Sequence, residues 1–236
     1  IQNLFEISKE INFRGPDNFD YYLSENKKIY LGHLRLSIID LSSNGDQPAI
    51  SNNKRFIILF NGEIYNFKNL AKKITHLDRS YLCSDTKVLV EYISTFGVKK
   101  ALKDIQGMYA ISIYDTQQNK LYLSRDFFGK KPIYYFFDDK FFFFSSTLKP
   151  IIKNKKIKKI ISPESLDHYF NYGFCPNKLS IFKNIKKISQ NTLMIFDLNE
   201  WKIVTEKIHQ EKIEEKNNFK LDYNYLDNLI HNSVQK

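Results

Sequence analysis

The chain has 236 residues, of which 42% are hydrophobic, and this content suffices for a substantial core in one large or two modest domains. No apolar run is long enough to span a membrane. The formal net charge of +10 would suit a nucleic acid, but only five of the 36 basic residues are Arg, the better reader of bases and phosphates. We therefore expect neither a membrane nor a nucleic acid as a partner.

The cysteine content points to a reducing compartment. Cys83 and Cys175 form neither a metal-ligand spacing nor a disulfide framework. The first residues mix the charged Glu6 and Lys9 with apolar side chains, which is unlike a secretory signal. We therefore expect a cytoplasmic protein without a metal site in this part of the chain. Because the chain begins with Ile1, we also expect the natural product to contain residues upstream of it.

The beginning of the chain predicts a helix followed by strands. Apolar positions on one face predict a helix over residues 1–12, which a Gly-Pro pair would end. Alternating residues predict meander strands over residues 19–24 and 27–39. Arg14, in the turn before them, is either a surface residue or a fixed guanidinium close to a site.

A charged residue, Arg35, lies within the second predicted strand. Its neighbours Leu34 and Leu36 would face the opposite way. A charged side chain in that setting needs a partner. A carboxylate-bearing ligand and an internal Asp or Glu are both open as that partner. We interpret the nearby His33 as a structural histidine.

An Asn-Gly pair, Asn61-Gly62, follows an apolar strand predicted over residues 55–60. It has two interpretations. Both residues tolerate a positive φ, which favours a tight hairpin turn. However, a side-chain amide and a backbone N–H held side by side can also donate two hydrogen bonds to one developing oxyanion. The rest of the chain has to decide between them.

An acidic residue, Asp85, precedes a predicted helix. Apolar spacing predicts helices over residues 67–74 and 86–96, and Gly97 would end the second. An acid at a helix N-terminus is ordinarily a cap or a dipole partner. The alternative is an acid placed to bind an ammonium group.

The rest of the chain predicts an antiparallel sheet, a helix and a hairpin. The strands of this sheet are predicted, with short polar turns, over residues 108–115, 121–126, 133–138 and 141–146. A helix that Pro163 opens follows, and then a hairpin over residues 191–198 and 201–209. Residues 210–221 have little to bury and predict a linker. Residues 222–236 predict the first helix of another domain.

Six short motifs occur in order along the chain. They are RGPD at 14–17, HLRLSIID at 33–40, NGEIYN at 61–66, SDT at 84–86, QGMYA at 106–110 and RDFFGKKPIYY at 125–135. Together they resemble the N-terminal glutaminase domain of glutamine-hydrolysing asparagine synthetases, a class II glutamine amidotransferase domain. The resemblance covers nearly the whole chain, and residues 170–187 are similar to the segment that closes that domain.

The resemblance implies an architecture. The fold would be α+β, a four-layer α/β/β/α sandwich of two antiparallel sheets, as in N-terminal-nucleophile hydrolases. Residues 1–209 would form the glutaminase domain and residues 210–221 the linker. Residues 222–236 would be the start of an asparagine synthetase-like ATP-binding domain.

The resemblance also implies roles for individual residues. Asn61 and Gly62 would form the oxyanion hole. Arg35 would hold the α-carboxylate of glutamine, Asp85 would hold its α-ammonium, and Arg14 would support the nucleophile region. The pocket would further be lined by Glu63 and by the backbone of Leu36, Ser37, Ile38 and Ile39.

The implied reaction needs a cysteine that this chain does not carry at its first position. In the family, an N-terminal cysteine attacks the side-chain amide of glutamine, and a thioester forms. The released ammonia reaches a second domain, which uses ATP and Mg²⁺ to amidate aspartate. Glutamine and a C-terminal synthetase domain of the same protein are thus the implied partners, and a homodimer is compatible with the family. The first strand and the cysteine are expected upstream of Ile1.

Two further functions stay open. The chain could belong to a related amidotransferase that acts on a sugar-acid or secondary-metabolite acceptor. It could instead be a non-catalytic module, a pseudo-glutaminase that binds glutamine. The pattern departs from the family at Phe13, Lys87 and Thr147, where a His, a Glu and a Glu are usual. These departures affect fine positioning more than the class of domain.

Overall fold

The computed structural model describes residues 2–38, 42–75, 77–176, 178–210 and 222–235. The helices of this part are α1 (Gln2–Lys9), α2 (Phe67–Ala71), α3 (Asp85–Phe96), α4 (Val98–Asp104), α5 (Leu148–Lys153), α6 (Pro163–Tyr172) and α7 (Tyr223–Val234). The strands are β1 (Asn18–Leu23), β2 (Tyr30–Arg35), β3 (Ala49–Ile50), β4 (Phe56–Ile64), β5 (Gly107–Asp115), β6 (Lys120–Arg125), β7 (Tyr134–Phe137), β8 (Phe142–Ser145), β9 (Ile185–Lys187), β10 (Thr192–Asp197) and β11 (Lys202–Lys207).

The larger β layer is a six-stranded antiparallel sheet. Its strand order is β11-β10-β6-β5-β4-β3, so β5 and β6 lie at its centre and β4 lies between β5 and the short edge strand β3. Both strands are buried over most of their length, because each is apolar on both faces. They pair in register from Phe56 opposite Asp115 to Ile64 opposite Gly107.

The second β layer consists of two pieces in the described part of the chain. One is the antiparallel pair β1-β2, and the other is the three-stranded antiparallel sheet β8-β7-β9. The aromatic run from Phe141 to Phe144 largely forms β8, as its strand-like length predicts.

Three apolar clusters show how the layers stack. The first joins one face of the six-stranded sheet, including Ile58 and Ile111, to helices α2, α3 and α4. The second lies between the two β layers, where Leu123 and Phe196 pack near the aromatic side chains of β7 and β8. The third joins the far side of the smaller sheet to Ile151 of α5. Four layers result, in the order α/β/β/α.

The buried carboxylate of Asp126 organises the loop between β6 and β7. Its oxygens accept hydrogen bonds from the backbone N–H groups of Tyr109, Phe128, Lys130 and Lys131. The adjacent Arg125 is also buried and donates to carbonyl oxygens of the same loop and of Ile188. These bonds fix the conformation of the loop, because a buried charge is tolerated only when it is hydrogen-bonded.

Several predicted elements are confirmed and others are wrong in detail. The helices over residues 86–96 and from Pro163 to Tyr172 are confirmed, as is the last hairpin. The four predicted strands from residue 108 to 146 do not form one sheet, because β5 and β6 join the larger layer and β7 and β8 the smaller one. Helices α4 and α5 were not predicted. The first follows Gly97 directly, and the second, Leu148–Lys153, follows β8 after a short turn.

The C-terminal part carries one more helix. Helix α7 has no buried residue, and residues 211–221, predicted as a linker, lie outside the described residues. The division into a glutaminase domain, a linker and a following domain therefore stays a prediction. In the part of the chain that the structure describes, no helix has both the length and the apolar character needed to cross a membrane.

Candidate active site

A cavity of about 1310 Å³ opens between the two β layers and brings the predicted site residues together. Strands β2, β4, β5 and β8 contribute to its wall. The turn that follows α1 and the N-terminal end of α3 contribute as well. The predicted residues that line it are Arg14, Arg35, Leu36, Ser37, Ile38, Asn61, Gly62, Glu63 and Asp85. Ile39 lies outside the described residues. Residues that are far apart in sequence thus share one cavity.

The Asn61-Gly62 pair does not form the tight turn that the dipeptide alone favours. Strand β4 runs through it to Ile64, and Asn61 and Gly62 pair with Ala110 and Tyr109 of β5. The turn interpretation is wrong because the neighbouring strand continues the ladder past the dipeptide. The pair therefore presents a side-chain amide and a strand backbone to the cavity.

Two glycines let β4 and β5 approach each other closely at this point. A Cβ on Gly62 would lie 2.0 Å from the carbonyl oxygen of Met108, and a Cβ on Gly107 would lie 2.0 Å from that of Glu63. Gly62 also has a φ of +155°, which other residues rarely adopt. Gly62 of the NGEIYN motif and Gly107 of the QGMYA motif are thus both needed for the two strands to pack this closely.

The buried Arg35 has an internal partner. Its Nη1 lies 2.7 Å from Oδ1 of Asp46 and donates to the carbonyl oxygen of Ser42 at 2.8 Å. The guanidinium packs against Gly45, where a Cβ would lie 2.1 Å from Nη2. One of the two partners left open by the sequence, an internal acid, is therefore present. It holds the guanidinium at the cavity wall and does not by itself exclude a ligand there.

The carboxylate of Asp85 is buried at the first turn of α3. Burial raises its pKa, the nearby Glu63 acts in the same direction, and hydrogen bonds from the backbone of Ile64 and Thr86 oppose the rise. The helix is capped by Ser84, whose Oγ accepts from the N–H of Lys87. Asp85 is therefore not the cap, and its carboxylate remains a candidate for binding a cation.

The RGPD motif holds the segment that follows β2. Gly15 is packed against the backbone of Leu34, and the carboxylate of Asp17 accepts from the N–H of Ser37 at 2.7 Å. Leu36 and Ile38 are exposed, so this segment meets the cavity at its rim. Arg14 is exposed as well, which fits a surface turn as well as a supporting role.

His33 lies on the face of β2 that points to the larger sheet, near Arg35 and Asp46. Burial lowers its pKa to about 4, although a hydrogen bond with the Phe60 backbone opposes this shift. Its Nδ1 is fully buried and has no hydrogen-bond partner among the described residues. The imidazole is therefore neutral at pH 7, in line with the structural interpretation.

One loop contributes to the site although its sequence pattern indicated no such role. In the segment between β2 and β4, Asp46 pairs with Arg35, and the side-chain amide of Gln47 bonds to the backbone of Phe60. The carbonyl of Asn44 accepts from the hydroxyl of Ser84. The requirement of a buried Arg35 for a partner was the one signal that could have pointed to this loop.

Neither cysteine of the chain belongs to the cavity as described. Cys83 is exposed and donates to the carbonyl of Ser80, and Cys175 is partly buried and donates to that of Ser165. Among the residues that the structure describes, the cavity lining therefore holds amides, cations and acids, but no thiol.

Residues 2–207 match the family described as glutamine amidotransferase domain. The chain belongs to this family. Among its relatives, the putative asparagine synthetase [glutamine-hydrolyzing] 2 of Methanocaldococcus jannaschii is 34% identical in an alignment of 220 positions that covers 86% of this chain and 42% of that protein. Asparagine synthetase [glutamine-hydrolyzing] 1 of Bacillus subtilis is 33% identical over 188 residues, 78% of this chain and 29% of that protein. The amidotransferase domain thus spans less than half the length of these relatives.

Solved structures agree with the fold. The glutamine phosphoribosylpyrophosphate amidotransferase of B. subtilis, complexed with ADP and GMP, matches with a TM-score of 0.52 and 16% identity over 77% of this chain and 35% of that one. A structure titled as the allosteric regulatory enzyme of purine biosynthesis matches with a TM-score of 0.54 at the same identity and coverage. The predicted α+β sandwich of N-terminal-nucleophile hydrolases is confirmed for this amidotransferase domain.

Substitution of Gly62 tests the close approach of β4 and β5. We expect Gly62→Ala to lower the free energy of unfolding by more than about 2 kcal/mol, because the new Cβ meets backbone and not a movable side chain. Gly97→Ala is the matched control. Gly97 also has a positive φ, but no atom lies within 4 Å of its Cβ position, so its cost should stay near about 1 kcal/mol. Urea unfolding of the variants measures both values, and equal costs would contradict the packing argument.

The lowered pKa of His33 predicts a pH dependence of stability. In the unfolded chain His33 takes up a proton as the pH falls below its ordinary pKa of 6.5, whereas in the folded protein its pKa is about 4. The free energy of unfolding therefore decreases as the pH falls through this window. The loss attributable to this one group should reach about 3 kcal/mol at pH 4. His33→Gln cannot titrate there and keeps a donor. Its unfolding free energy should therefore fall less steeply than that of the wild type between pH 6.5 and 4, and parallel curves would contradict the assignment.

Proposed function

We propose that this domain hydrolyses glutamine to glutamate and ammonia, as the glutaminase part of an asparagine synthetase-like enzyme. The observation that carries the proposal is the shared cavity of Arg35, Asp85 and the Asn61-Gly62 pair. Free glutamine is a zwitterion, so a selective site needs a fixed cation for its carboxylate and a fixed anion for its ammonium group. The names of the relatives support this substrate and an amidated product.

In the proposed reaction some of these residues would bind glutamine, and others would stabilise the transition state. Arg35, held by Asp46, would bind the α-carboxylate, and Asp85 would bind the α-ammonium. A thiolate would attack the side-chain carbonyl carbon, and the amide of Asn61 with the N–H of Gly62 would donate to the resulting oxyanion. Ammonia leaves when the C–N bond breaks, and water then hydrolyses the thioester to glutamate and the free thiol.

The nucleophile would come from a segment that is not among the 236 residues. The lining described above contains no thiol, and β2 and β8, which both contribute to the wall, are each paired on one side only in the described part of the chain. An extended segment could pair with these edges and bring a cysteine next to Asn61. A terminal cysteine would also carry a free α-amino group to assist proton transfer.

The partners beyond glutamine are part of the same proposal. A C-terminal synthetase domain would consume the ammonia, and ATP and Mg²⁺ would act there. The described residues contain no group of three or more His, Cys, Asp or Glu side chains that could hold a metal ion. Aspartate as the acceptor, a homodimer and a cytoplasmic location remain predictions.

Ammonia release by the full-length natural protein tests the proposal. We expect glutamine-dependent release that disappears when an N-terminal cysteine is replaced by Ala. Asn61→Ala should lower kcat about 10²–10³-fold with little change in KM, because its amide acts on the oxyanion. Asn69→Ala, on the exposed side of α2, is the control and should keep the full rate. No release by the natural protein would favour the glutamine-binding module, and an unchanged rate in Asn61→Ala would remove the oxyanion assignment.

The role of Asp85 predicts a change in glutamine affinity. Asp85→Asn should raise KM for glutamine by about 10–100-fold, since it removes a charge-assisted hydrogen bond to the ammonium group. Glutaramate, which lacks that group, should be hydrolysed equally well by the variant and the wild type. Asp167→Asn, an exposed substitution on α6, serves as the control. If the activity of the variant fell equally with glutamine and with glutaramate, Asp85 would have a structural role instead.

A further inference from the structure

The side chain of Gln47 takes the place of a strand partner beside β4. Its Oε1 accepts from the N–H of Phe60 at 2.5 Å, and its Nε2 donates to the carbonyl oxygen of Phe60 at 2.9 Å. Gln47 is itself buried. On this side of β4, β3 pairs only with Ile57 and Ile58, so the ladder stops before the site. One amide group therefore satisfies both polar groups of Phe60.

Phe60 immediately precedes the proposed oxyanion donor. The carbonyl of Phe60 and the N–H of Asn61 belong to the same planar peptide group, so a fixed carbonyl also fixes the plane from which Asn61 extends. On the opposite side, Asn61 pairs with Ala110 of β5. His33 adds a hydrogen bond with the Phe60 backbone. The peptide before Asn61 is thus held from both edges of the strand.

The loop that carries Gln47 also contacts the other two parts of the candidate site. Asp46, the preceding residue, pairs with Arg35. The carbonyl of Asn44 accepts from the hydroxyl of Ser84, which caps the helix of Asp85. A single loop therefore connects the elements assigned to the carboxylate, the ammonium group and the oxyanion of glutamine. This arrangement can set their spacing.

We propose that Gln47 is a positioning residue for the glutaminase reaction, which holds the Phe60–Asn61 peptide so that the Asn61 amide meets the oxyanion. The inference rests on the proposed function and adds to it a cavity-lining residue that would act through Asn61. Oxyanion donors act only when they are preorganised at the place where charge develops. Displacing Asn61 by even a fraction of an ångström should therefore slow the chemical step and leave glutamine binding intact.

A substitution that removes both hydrogen bonds provides the first test. Gln47→Met in the full-length natural enzyme should lower kcat for ammonia release by about tenfold or more, while KM for glutamine stays within about twofold. Gln117→Met, in the exposed turn after β5, is the matched control and should change neither constant. An unchanged kcat, or a rise in KM alone, would overturn the proposal.

A double-mutant cycle tests whether Gln47 acts through Asn61. In the Asn61→Ala background, Gln47→Met should have less than about a twofold effect, because the group that it positions is gone. The same fold-reduction in both backgrounds would overturn the proposal. If Asn61→Ala alone keeps the full rate, the oxyanion assignment of the proposed function fails first, so the two failures are distinguishable.

Gln47→Glu supplies a rescue experiment if the Met variant does not fold. A protonated Glu carries an O–H donor and a carbonyl acceptor, as Gln carries N–H and carbonyl, whereas the carboxylate would face the Phe60 carbonyl without a proton. Its kcat, divided by that of the wild type at each pH, should therefore rise as the pH falls. A flat ratio would contradict the positioning role. Failure of both variants to fold would replace it with a purely structural one.

Discussion

The close approach of β4 and β5 is the constraint on which the candidate site depends. At Gly62 and Gly107 each strand leaves no room for a Cβ on the other, so backbone faces backbone. This contact joins two neighbouring strands of the larger sheet, which lies between the helical layer and the cavity. It allows β4 to continue past Asn61 as a paired strand. The Asn61 amide consequently belongs to a rigid strand, which fixes its position more precisely than a loop would.

The two charges assigned to glutamine binding are paired and hydrogen-bonded by the protein itself. Arg35 contacts Asp46 and Ser42, and Asp85 accepts from the backbone at the start of α3. Burying a charge costs free energy that such contacts largely offset. The raised pKa of Asp85 shows that the offset is incomplete there, since burial is its largest cause. A bound ammonium group would supply the missing compensation, which links glutamine binding to the electrostatics of the cavity.

The loop over residues 42–48 connects these parts although it carries no proposed catalytic group. It supplies the partner of Arg35, an acceptor for the helix cap next to Asp85, and the amide that pairs with Phe60. Loops of this kind are usually judged by what they present to solvent. Here the side chain of Gln47 is buried, and its two hydrogen bonds to Phe60 replace a ladder that β3 leaves unfinished. The same loop would thus support both the residues that bind glutamine and the residue that stabilises the oxyanion.

The sequence by itself determined the class of fold, the helices over 86–96 and from Pro163 to Tyr172, and nine of the residues that line the cavity. Apolar periodicity and short motifs encode these features locally, and the order of the motifs encodes the family. The tertiary structure alone decided that Asn61-Gly62 lies within a strand. It also decided that the strands from residue 108 to 146 divide between two layers. Both outcomes depend on strands that are distant in sequence and pair only in the folded protein. The same holds for Gln47, because its amide bonds to Phe60 of β4, 13 residues further along the chain.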